Sequence, residues 1–269
     1  METIILKLGG SVITEKEKGL LQVRTELVRS IALTIKTVLS EKNSNLIIIH
    51  GAGSFGHVIA KKHKLHEGTI DTDARWQAVA KTHLLCQQLN TYIATEFIAI
   101  GLPVFPIHPL SIITCAEGTI EHFDTTSIDA ILKNNHIPIL YGDMVFDSVR
   151  GAVICSGDQI APYLARHTNA TRLLFASDID GIFSEDPHVN PHAQLIPHLD
   201  SKQLNDGSVV LGASHNEDVT GGLAGKMAHC MRFSGESLQE ILIFNGTKKE
   251  NYALALRGDS FRCTRIRKE

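Results

Sequence analysis

The sequence predicts an α/β protein with three layers, in which helices cover both faces of a central, mainly parallel sheet. Short apolar runs such as TIILKL at 3–8, LIIIH at 46–50 and RLLFAS at 172–177 are typical of buried strands. Stretches with helical periodicity separate these runs along almost the whole chain. Such an alternation of strands and helices is typical of parallel sheets.

The first part of the chain supplies most of the predicted elements. After the strand at 3–8, we predict a helix over 22–41, a strand over 46–50, a long helix over 72–99 and a strand over 103–107. Apolar residues recur every three or four positions in both helices, which gives each helix one buried face. These positions are Val23, Leu27, Ile31, Ile35 and Val38 in the first helix, and Trp76, Val79, Leu84, Leu85, Leu89, Ile93 and Phe97 in the second.

The rest of the chain continues the pattern with two hairpins. Alternating residues around Glu117-Gly118 predict a hairpin over 111–122, and a second is predicted over 144–155. The other predicted elements are helices at 125–134 and 157–168, strands at 137–143, 172–177 and 241–246, a helix after 220–222, and finally a short helix and a last strand. We expect a single domain over 1–269, with a seam near residue 150 that separates lobes 1–150 and 151–269.

The composition excludes several classes of protein. Hydrophobic residues make up 43% and charged residues 20% of the chain, which is ordinary for a globular enzyme. The net charge is −3 and no basic stripe is present, so we expect no nucleic-acid partner. No apolar run reaches the ~20 residues of a membrane span, and the first residues lack the pattern of a secretory signal. Five dispersed cysteines are typical of a cytoplasmic protein with reduced thiols.

Glycines and small polar residues follow several of the predicted strands. These junctions read KLGGS at 7–11, HGAGSFGH at 50–57, YGD at 141–143 and SDIDG at 177–181. Parallel sheets bind ligands at the carboxyl ends of their strands, and glycine lets backbone N–H groups approach phosphate oxygens. Lys7 lies inside an apolar strand, where an ammonium group is costly unless it reaches water or an anion. We therefore predict a phosphate-binding site at these strand ends.

Residues 51–56 also match Gly-x-Gly-x-x-Gly, the fingerprint of dinucleotide-binding proteins. That fingerprint requires a second strand ending in an acidic residue about 20 residues further on. Asp71 and Asp73 lie at this distance, but no predicted strand precedes them and they open the next helix. A dinucleotide-binding oxidoreductase stays as an alternative from another reaction class. A P-loop is excluded, because methionine follows the Gly-Lys pair at 225–226.

Motifs in order along the chain resemble the amino acid kinase superfamily: KLGGS at 7–11, SGD at 156–158, SDIDGIFSEDP at 177–187 and DVTGGLAGK at 218–226. HGAGSFGH at 50–57 is similar to the signature of isopentenyl phosphate kinases within it, although Ala52 stands where glycine is more common. The resemblance implies the amino acid kinase fold and phosphorylation of isopentenyl phosphate by ATP. Fosfomycin kinases and other small phosphate or phosphonate kinases of this fold share much of the signature and stay as alternatives.

The resemblance also implies a role for individual residues. The catalytic side chains would be Lys7, Lys16 and His57, with Lys7 at the γ-phosphoryl group and His57 at the acceptor phosphate. The residues implied in ATP binding are Lys7, Gly9, Gly10, Ser11, Gly53, Asp178, Gly181, Phe183, Gly225 and Lys226. Those implied in acceptor binding are Ala52, Gly56, His57 and Gly157.

Further expectations concern the partners of the protein. Mg²⁺ would be held mainly through phosphates and water, so we name no protein ligand. The resemblance implies a homodimer, with an acceptor lobe at 1–150 and a nucleotide lobe at 151–269. One face of the helix over 72–99 either lines a prenyl-tail pocket or is ordinary core; its residues are Trp76, Val79, Ala80 and His83. A non-catalytic binding protein is the last alternative, and the retention of Lys7, Lys16, His57 and Lys226 argues against it.

Overall fold

The computed structural model describes residues 1–15, 21–69, 73–185, 187, 189–200, 227, 230–231 and 234–267. Its strands are, in chain order, β1 (Glu2–Leu8), β2 (Ser44–His50), β3 (Val104–Pro106), β4 (Ile113–Ala116), β5 (Thr119–Phe123), β6 (Ile137–Tyr141), β7 (Asp143–Asp147), β8 (Gly151–Cys155), β9 (Arg172–Ser177), β10 (His198–Asp200), β11 (Glu240–Asn245) and β12 (Thr264–Arg267). Its helices are α1 (Gly10–Ile13), α2 (Thr25–Glu41), α3 (Gly53–Lys62), α4 (Asp73–Ala99), α5 (Pro109–Ile112), α6 (Thr126–Lys133), α7 (Gly157–His167) and α8 (Glu250–Arg257), with a 3₁₀ turn at Leu65–Glu67.

Within the described residues, the large sheet has eight strands in the order β10-β12-β11-β9-β1-β2-β6-β3. From β11 to β3 every neighbouring pair is parallel, whereas β12 runs antiparallel to β11. β1 lies in the interior, between β2 and β9, so both parts of the chain share one continuous sheet. The predicted central, mainly parallel sheet is therefore confirmed.

Alternating residues of the central strands pack into two separate cores. Leu6 and Ile48 face one layer, where they pack with residues of α2, α4 and α8. Ile5 and Ile49 face the opposite layer, where they pack with residues of α7 and of the strands β4, β7 and β8. Because successive side chains of a strand point to opposite faces, continuous apolar strands of this kind require cover on both sides.

A second sheet of four strands has the order β5-β4-β7-β8. It contains both predicted hairpins, β4–β5 and β7–β8, which are antiparallel pairs. Glu117 and Gly118 form the first turn with φ values of 52° and 82°, as the Glu-Gly signal indicates. A parallel pairing of β4 with β7 joins the hairpins into one sheet, a long-range contact that the sequence pattern did not predict.

The helix after the second strand begins inside the glycine-rich motif. HGAGSFGH spans 50–57, whereas α3 already begins at Gly53. The short elements α1, α5 and β10 were also not predicted. Of the helix expected after 220–222, the structure describes only Met227, Cys230 and Met231, and these three residues are helical. Among the helices of the described ranges, none combines the length and the apolar composition that crossing a membrane requires.

Candidate functional site

The candidate site lies at the carboxyl ends of β9, β1, β2 and β6. These strands are parallel neighbours, so their last residues lie along one edge of the large sheet. Those residues are Ser177, Leu8, His50 and Tyr141. The strand order therefore brings together the glycine motifs that follow each strand, and this edge is where parallel sheets bind ligands.

The two glycine loops that follow β1 and β2 pack backbone against backbone. A Cβ on Gly10 would lie 2.4 Å from the nitrogen of Gly53, and a Cβ on Gly51 would lie 2.7 Å from the nitrogen of Gly10. Gly53 also has a φ of +52°, a conformation that side chains disfavour. Glycine is thus required on both sides of the contact.

Thr14 connects these two loops. Its hydroxyl donates to the carbonyl of Gly10 at 2.8 Å and accepts from the N–H of Ser54 at 3.1 Å. No local pattern in the sequence identifies Thr14, because its second partner lies 40 residues away along the chain. Its position fixes the start of α3 relative to the loop after β1.

The loop after β1 is anchored at Gly9. The N–H of Gly9 donates to the carbonyl of Ala176 on β9 at 2.8 Å. This N–H is therefore used within the protein, and Gly9 anchors the loop. The N–H groups of Gly10 and Ser11, which open α1, are better placed to meet a ligand, since the first N–H groups of a helix have no partner within it.

Lys7 meets an anion from within the apolar strand, as its position predicts. Its Nζ lies 3.0 Å from Oδ1 of Asp158, and the two side chains are 19% and 23% exposed. Asp158 belongs to the first turn of α7, where a carboxylate also interacts favourably with the helix dipole. The SGD motif contains this residue, but only the structure assigns it to Lys7.

Gly157 brings the start of α7 into the site. A Cβ on Gly157 would lie 3.0 Å from Cγ2 of Ile49 and 3.8 Å from Cε of Lys7. The cap of this helix is rigid, because the Gln159 side-chain oxygen accepts from the N–H of Ser156 at 2.9 Å. Gly157 thus lies beside Lys7, among the strand ends.

His57 lies within α3 and not at the end of a loop. It is the fifth residue of this helix, and its side chain is exposed. Ala52, just before the helix, has φ −69° and ψ −23°, so a residue with a Cβ is unstrained there. The adjacent Gly56 packs on α4, where an added Cβ would lie 3.1 Å from Sγ of Cys86.

Three residues expected at the nucleotide follow β9. Asp178 comes directly after the strand and is half-buried. Gly181 packs tightly on β12, because a Cβ there would lie 2.4 Å from Oγ1 of Thr264. Phe183 forms an isolated bridge with Leu195. Asp178 lies at the same sheet edge as the glycine loops, whereas Gly181 and Phe183 shape the segment beyond it.

Asp180 has a structural role in this segment. Its carboxylate accepts from Lys248 at 2.9 Å and from Arg262 at 2.7 Å, and these contacts lower its pKa against the opposing effect of burial. Lys16, Gly225 and Lys226, which the sequence resemblance implies at the site, lie outside the described residues.

The candidate tail-binding face of α4 combines core and exposed positions. Val79 is buried in a small cluster with Met144 and Ala152. Trp76 is 38% exposed and lies 6.3 Å from the ring of Phe146, measured between centroids. Val79 is therefore core, while Trp76 and its neighbour on β7 offer an accessible apolar surface. Ala80 and His83 lie on the same helix, exposed and half-buried respectively.

A histidine–carboxylate pair joins α4 to β7. Nδ1 of His83 lies 2.8 Å from Oδ2 of Asp143, whose side chain is fully buried. This hydrogen bond raises the pKa of His83, against the opposing effect of its partial burial. Asp143 follows Gly142 at the end of β6, so the pair lies beside the glycine loops.

Comparison with known proteins agrees with this arrangement. A model of the amino acid kinase family matches residues 2–245. The chain is 32% identical to the isopentenyl phosphate kinase of Methanothermobacter thermautotrophicus, with 98% of both chains covered. It is 31% identical to that of Methanocaldococcus jannaschii, with 95% of both covered. A solved isopentenyl phosphate kinase structure matches with a TM-score of 0.83 at 29% identity, over 98% of this chain and 100% of the other.

The fold and the strand-end glycines thus define a phosphotransferase of the amino acid kinase type. The chain belongs to the amino acid kinase family and, within it, to the isopentenyl phosphate kinases. The sequence-based resemblance is confirmed at both levels. The described residues give the dinucleotide alternative no support, because Asp73 is the first residue of α4 and not the end of a strand; Asp71 lies outside them.

Proposed function

We propose that this protein transfers the γ-phosphoryl group of ATP to isopentenyl phosphate, forming isopentenyl diphosphate and ADP. One structural observation carries the proposal: Lys7 emerges beside two glycine loops that pack backbone to backbone. Phosphoryl transfer depends mainly on positioning and on neutralising charge. A cation and closely spaced backbone donors meet both needs.

The donor side of the reaction falls to the loop after β1. Lys7 neutralises the γ-phosphoryl group, and Asp158 holds its ammonium in place before the substrate arrives. Gly10 and Ser11 present backbone N–H groups to the phosphates, and Gly9 fixes their loop on β9. A group held in position costs no reorganisation during the reaction.

The acceptor side falls to the loop after β2 and to α3. His57 holds the acceptor phosphate with a ring N–H, supported by the backbone of Ala52, Gly56 and Gly157. The exposed position of His57 allows this contact. The attacking group is a phosphate oxygen, which is already ionised near neutral pH, so the reaction needs no general base.

The nucleotide is held by the second half of the chain. Asp178, Gly181 and Phe183 form part of this region, and Gly53 contributes from the first half. We assign Lys16, between donor and acceptor, and Gly225 and Lys226, at the nucleotide, by the sequence resemblance alone. Mg²⁺, bound through phosphates and water, would neutralise phosphate charge. The lobe 1–150 thus carries most of the acceptor contacts together with the loop that meets the ATP phosphates, and the lobe 151–269 carries most of the contacts with the rest of the nucleotide.

We further propose a homodimer in the cytoplasm. The five cysteines all lie within the described residues and form no disulfide, which suits a reducing compartment. An exposed edge of the large sheet supports the proposed dimer: β3 is the last strand of this sheet and carries Phe105, which is 43% exposed. Light scattering at several protein concentrations tests the dimer, and a constant monomer mass would contradict it.

A coupled assay for ADP release tests the proposed reaction. The acceptors to compare are isopentenyl phosphate, dimethylallyl phosphate, fosfomycin, acetylglutamate and UMP. We expect the highest kcat/KM with isopentenyl phosphate and no ADP release with acetylglutamate. A higher kcat/KM with fosfomycin would favour a phosphonate kinase of the same fold.

A further inference from the structure

His50 is the last residue of β2, and its side chain is completely buried beneath the glycine loop. Its Nδ1 lies 3.0 Å from the carbonyl oxygen of Gly51, and its Nε2 lies 3.1 Å from the side-chain oxygen Oδ1 of Asn90 on α4. We infer that His50, through this bond to Gly51, is a positioning residue that aims the Gly51–Ala52 peptide at the acceptor phosphate. The inference rests on the proposed function and deepens it.

The contacts of the ring assign its proton to Nδ1. A carbonyl oxygen only accepts hydrogen bonds, so Nδ1 must donate to Gly51. Burial lowers the pKa of His50 to about 4, so near neutral pH the ring carries one proton and Nε2 must accept. The amide nitrogen of Asn90, buried and without a partner among the described residues, is the matching donor once the amide is turned by 180°.

This proton placement orients the peptide that follows. In a planar trans peptide the carbonyl and the N–H point in opposite directions. A Gly51 carbonyl held against the imidazole therefore turns the N–H of Ala52 away from the core. No backbone carbonyl of the described residues accepts from this N–H, so it is available to an anion.

The loop needs such a device because of its composition. Gly51 has no side chain, since the backbone of Gly10 occupies that space. A glycine populates a wide range of φ and ψ, so the peptide beside it rotates at little cost. The hydrogen bond from His50 selects one of these orientations.

The imidazole itself is held rigidly. It stacks on Tyr141 of β6, with centroids 5.5 Å apart and planes 16° apart. The hydroxyl of Tyr141 lies 2.9 Å from Nδ1 of His108. The carbonyl of His50 accepts from the N–H of Gly142 at 2.9 Å. Because the ring cannot move, its hydrogen bond holds the Gly51 carbonyl in one position.

Two variants separate the positioning role from packing. In His50→Asn the amide nitrogen occupies roughly the place of Nδ1, whereas in His50→Gln it occupies roughly that of Nε2. Both lose the ring stacked on Tyr141, so we expect similar losses in Tm. In His50→Gln the N–H of Ala52 is no longer aimed at the phosphate, so one hydrogen bond to a charged group is lost. We therefore expect KM for isopentenyl phosphate to rise by about 10- to 150-fold. His50→Asn should stay within a few-fold of the wild type, and neither variant should change KM for ATP by more than a few-fold.

Equal acceptor KM values for the two folded variants would overturn the inference, as would an equal rise in KM for ATP. Wild-type activity with isopentenyl phosphate is measured separately, so failure of the proposed function is distinguishable. If the variants do not fold, ¹⁵N NMR of the wild-type ring decides. We expect Nδ1 to be protonated, with no titration between about pH 5 and 8, where ordinary histidines titrate. An Nε2–H tautomer would overturn the inference.

Discussion

Lys7 contacts a carboxylate in a partly buried position, and this pairing has two effects. The ion pair with Asp158 offsets the cost of placing an ammonium group in an apolar strand. In the proposed mechanism, it also keeps the ammonium where the transferred phosphoryl group would lie. Because both side chains are about one-fifth exposed, solvent screens the pair and its contribution to stability is small.

Lys7→Ala tests this balance. We expect kcat to fall by about 10²-fold or more, the usual effect of removing one preorganised charge, with the fold retained. Steady-state kinetics and thermal melting measure the two effects. The matched control is Lys42→Ala, which removes an exposed lysine paired with Glu2 away from the site and should leave kcat unchanged. A folded Lys7→Ala enzyme with normal kcat would make Lys7 merely structural.

His57 determines recognition of the acceptor in the proposed mechanism. We expect His57→Ala to lower kcat/KM for isopentenyl phosphate by about 10- to 150-fold, because a bond to a charged phosphate is lost. KM for ATP should change only a few-fold, and His57→Gln should keep part of the activity, since glutamine can donate. The measurement is steady-state kinetics with each substrate varied in turn.

His63→Ala serves as the control, because His63 lies just beyond the other end of α3. It should leave acceptor kinetics unchanged. If His57→Ala instead weakens both substrates together and lowers Tm, the residue stabilises the helix and does not bind the acceptor.

Single residues were predictable where their signal is local. A lysine inside an apolar strand requires an anion wherever the strand lies, so Lys7 could be identified from the sequence. Thr14 and His50 could not, because their roles depend on partners 40 residues away in the chain. Their side chains are ordinary until the fold places Ser54 and Asn90 beside them.

At the scale of elements, the His83–Asp143 pair connects α4 to the start of β7. The buried carboxylate needs a partner, and His83 supplies one that is charged only when protonated. The strength of the contact between this helix and this strand therefore depends on pH.

The raised pKa of His83 predicts the direction of this dependence. The stabilisation is fully present below the unfolded-state pKa of about 6.5 and is lost as pH rises through the folded-state pKa. We expect the difference in free energy of unfolding between the wild type and His83→Gln to shrink as pH rises through that interval. Urea unfolding at a series of pH values measures it.

His122→Gln is the control for this series, since His122 is exposed on β5. Its unfolding free energy should follow that of the wild type at every pH. A difference for His83→Gln that stays constant with pH would contradict the raised pKa.

Long periodic elements were predicted well, whereas several of the shortest ones, α1, α5 and β10, were not. α2 and α4 lie within three residues of the predicted bounds, because a repeated apolar spacing marks them. α3 begins at a glycine, a residue that normally weakens a helix, and its packing on α4 compensates for this. β10 has only three residues, too few to show a period.

At the scale of the whole molecule, the two lobes predict a division of labour. We expect a non-hydrolysable ATP analogue to slow hydrogen exchange around 177–183, and isopentenyl phosphate to slow it around 51–57. Mass spectrometry of the exchanged protein, with each ligand added alone, measures both effects. ATP-dependent protection confined to 51–57 and 71–84 would reverse the assignment of the lobes.

The interior place of β1 also affects synthesis of the protein. Its partner β2 follows closely along the chain, but its other partner, β9, begins only at Arg172. At ribosomal rates of about 5–20 residues per second, the roughly 120 residues between β2 and β9 take about 6–24 s to emerge. For that interval β1 has one edge with unmatched backbone groups, which is a template for pairing with another chain. Until β9 emerges and closes this edge, the growing polypeptide is therefore exposed there to pairing with other chains.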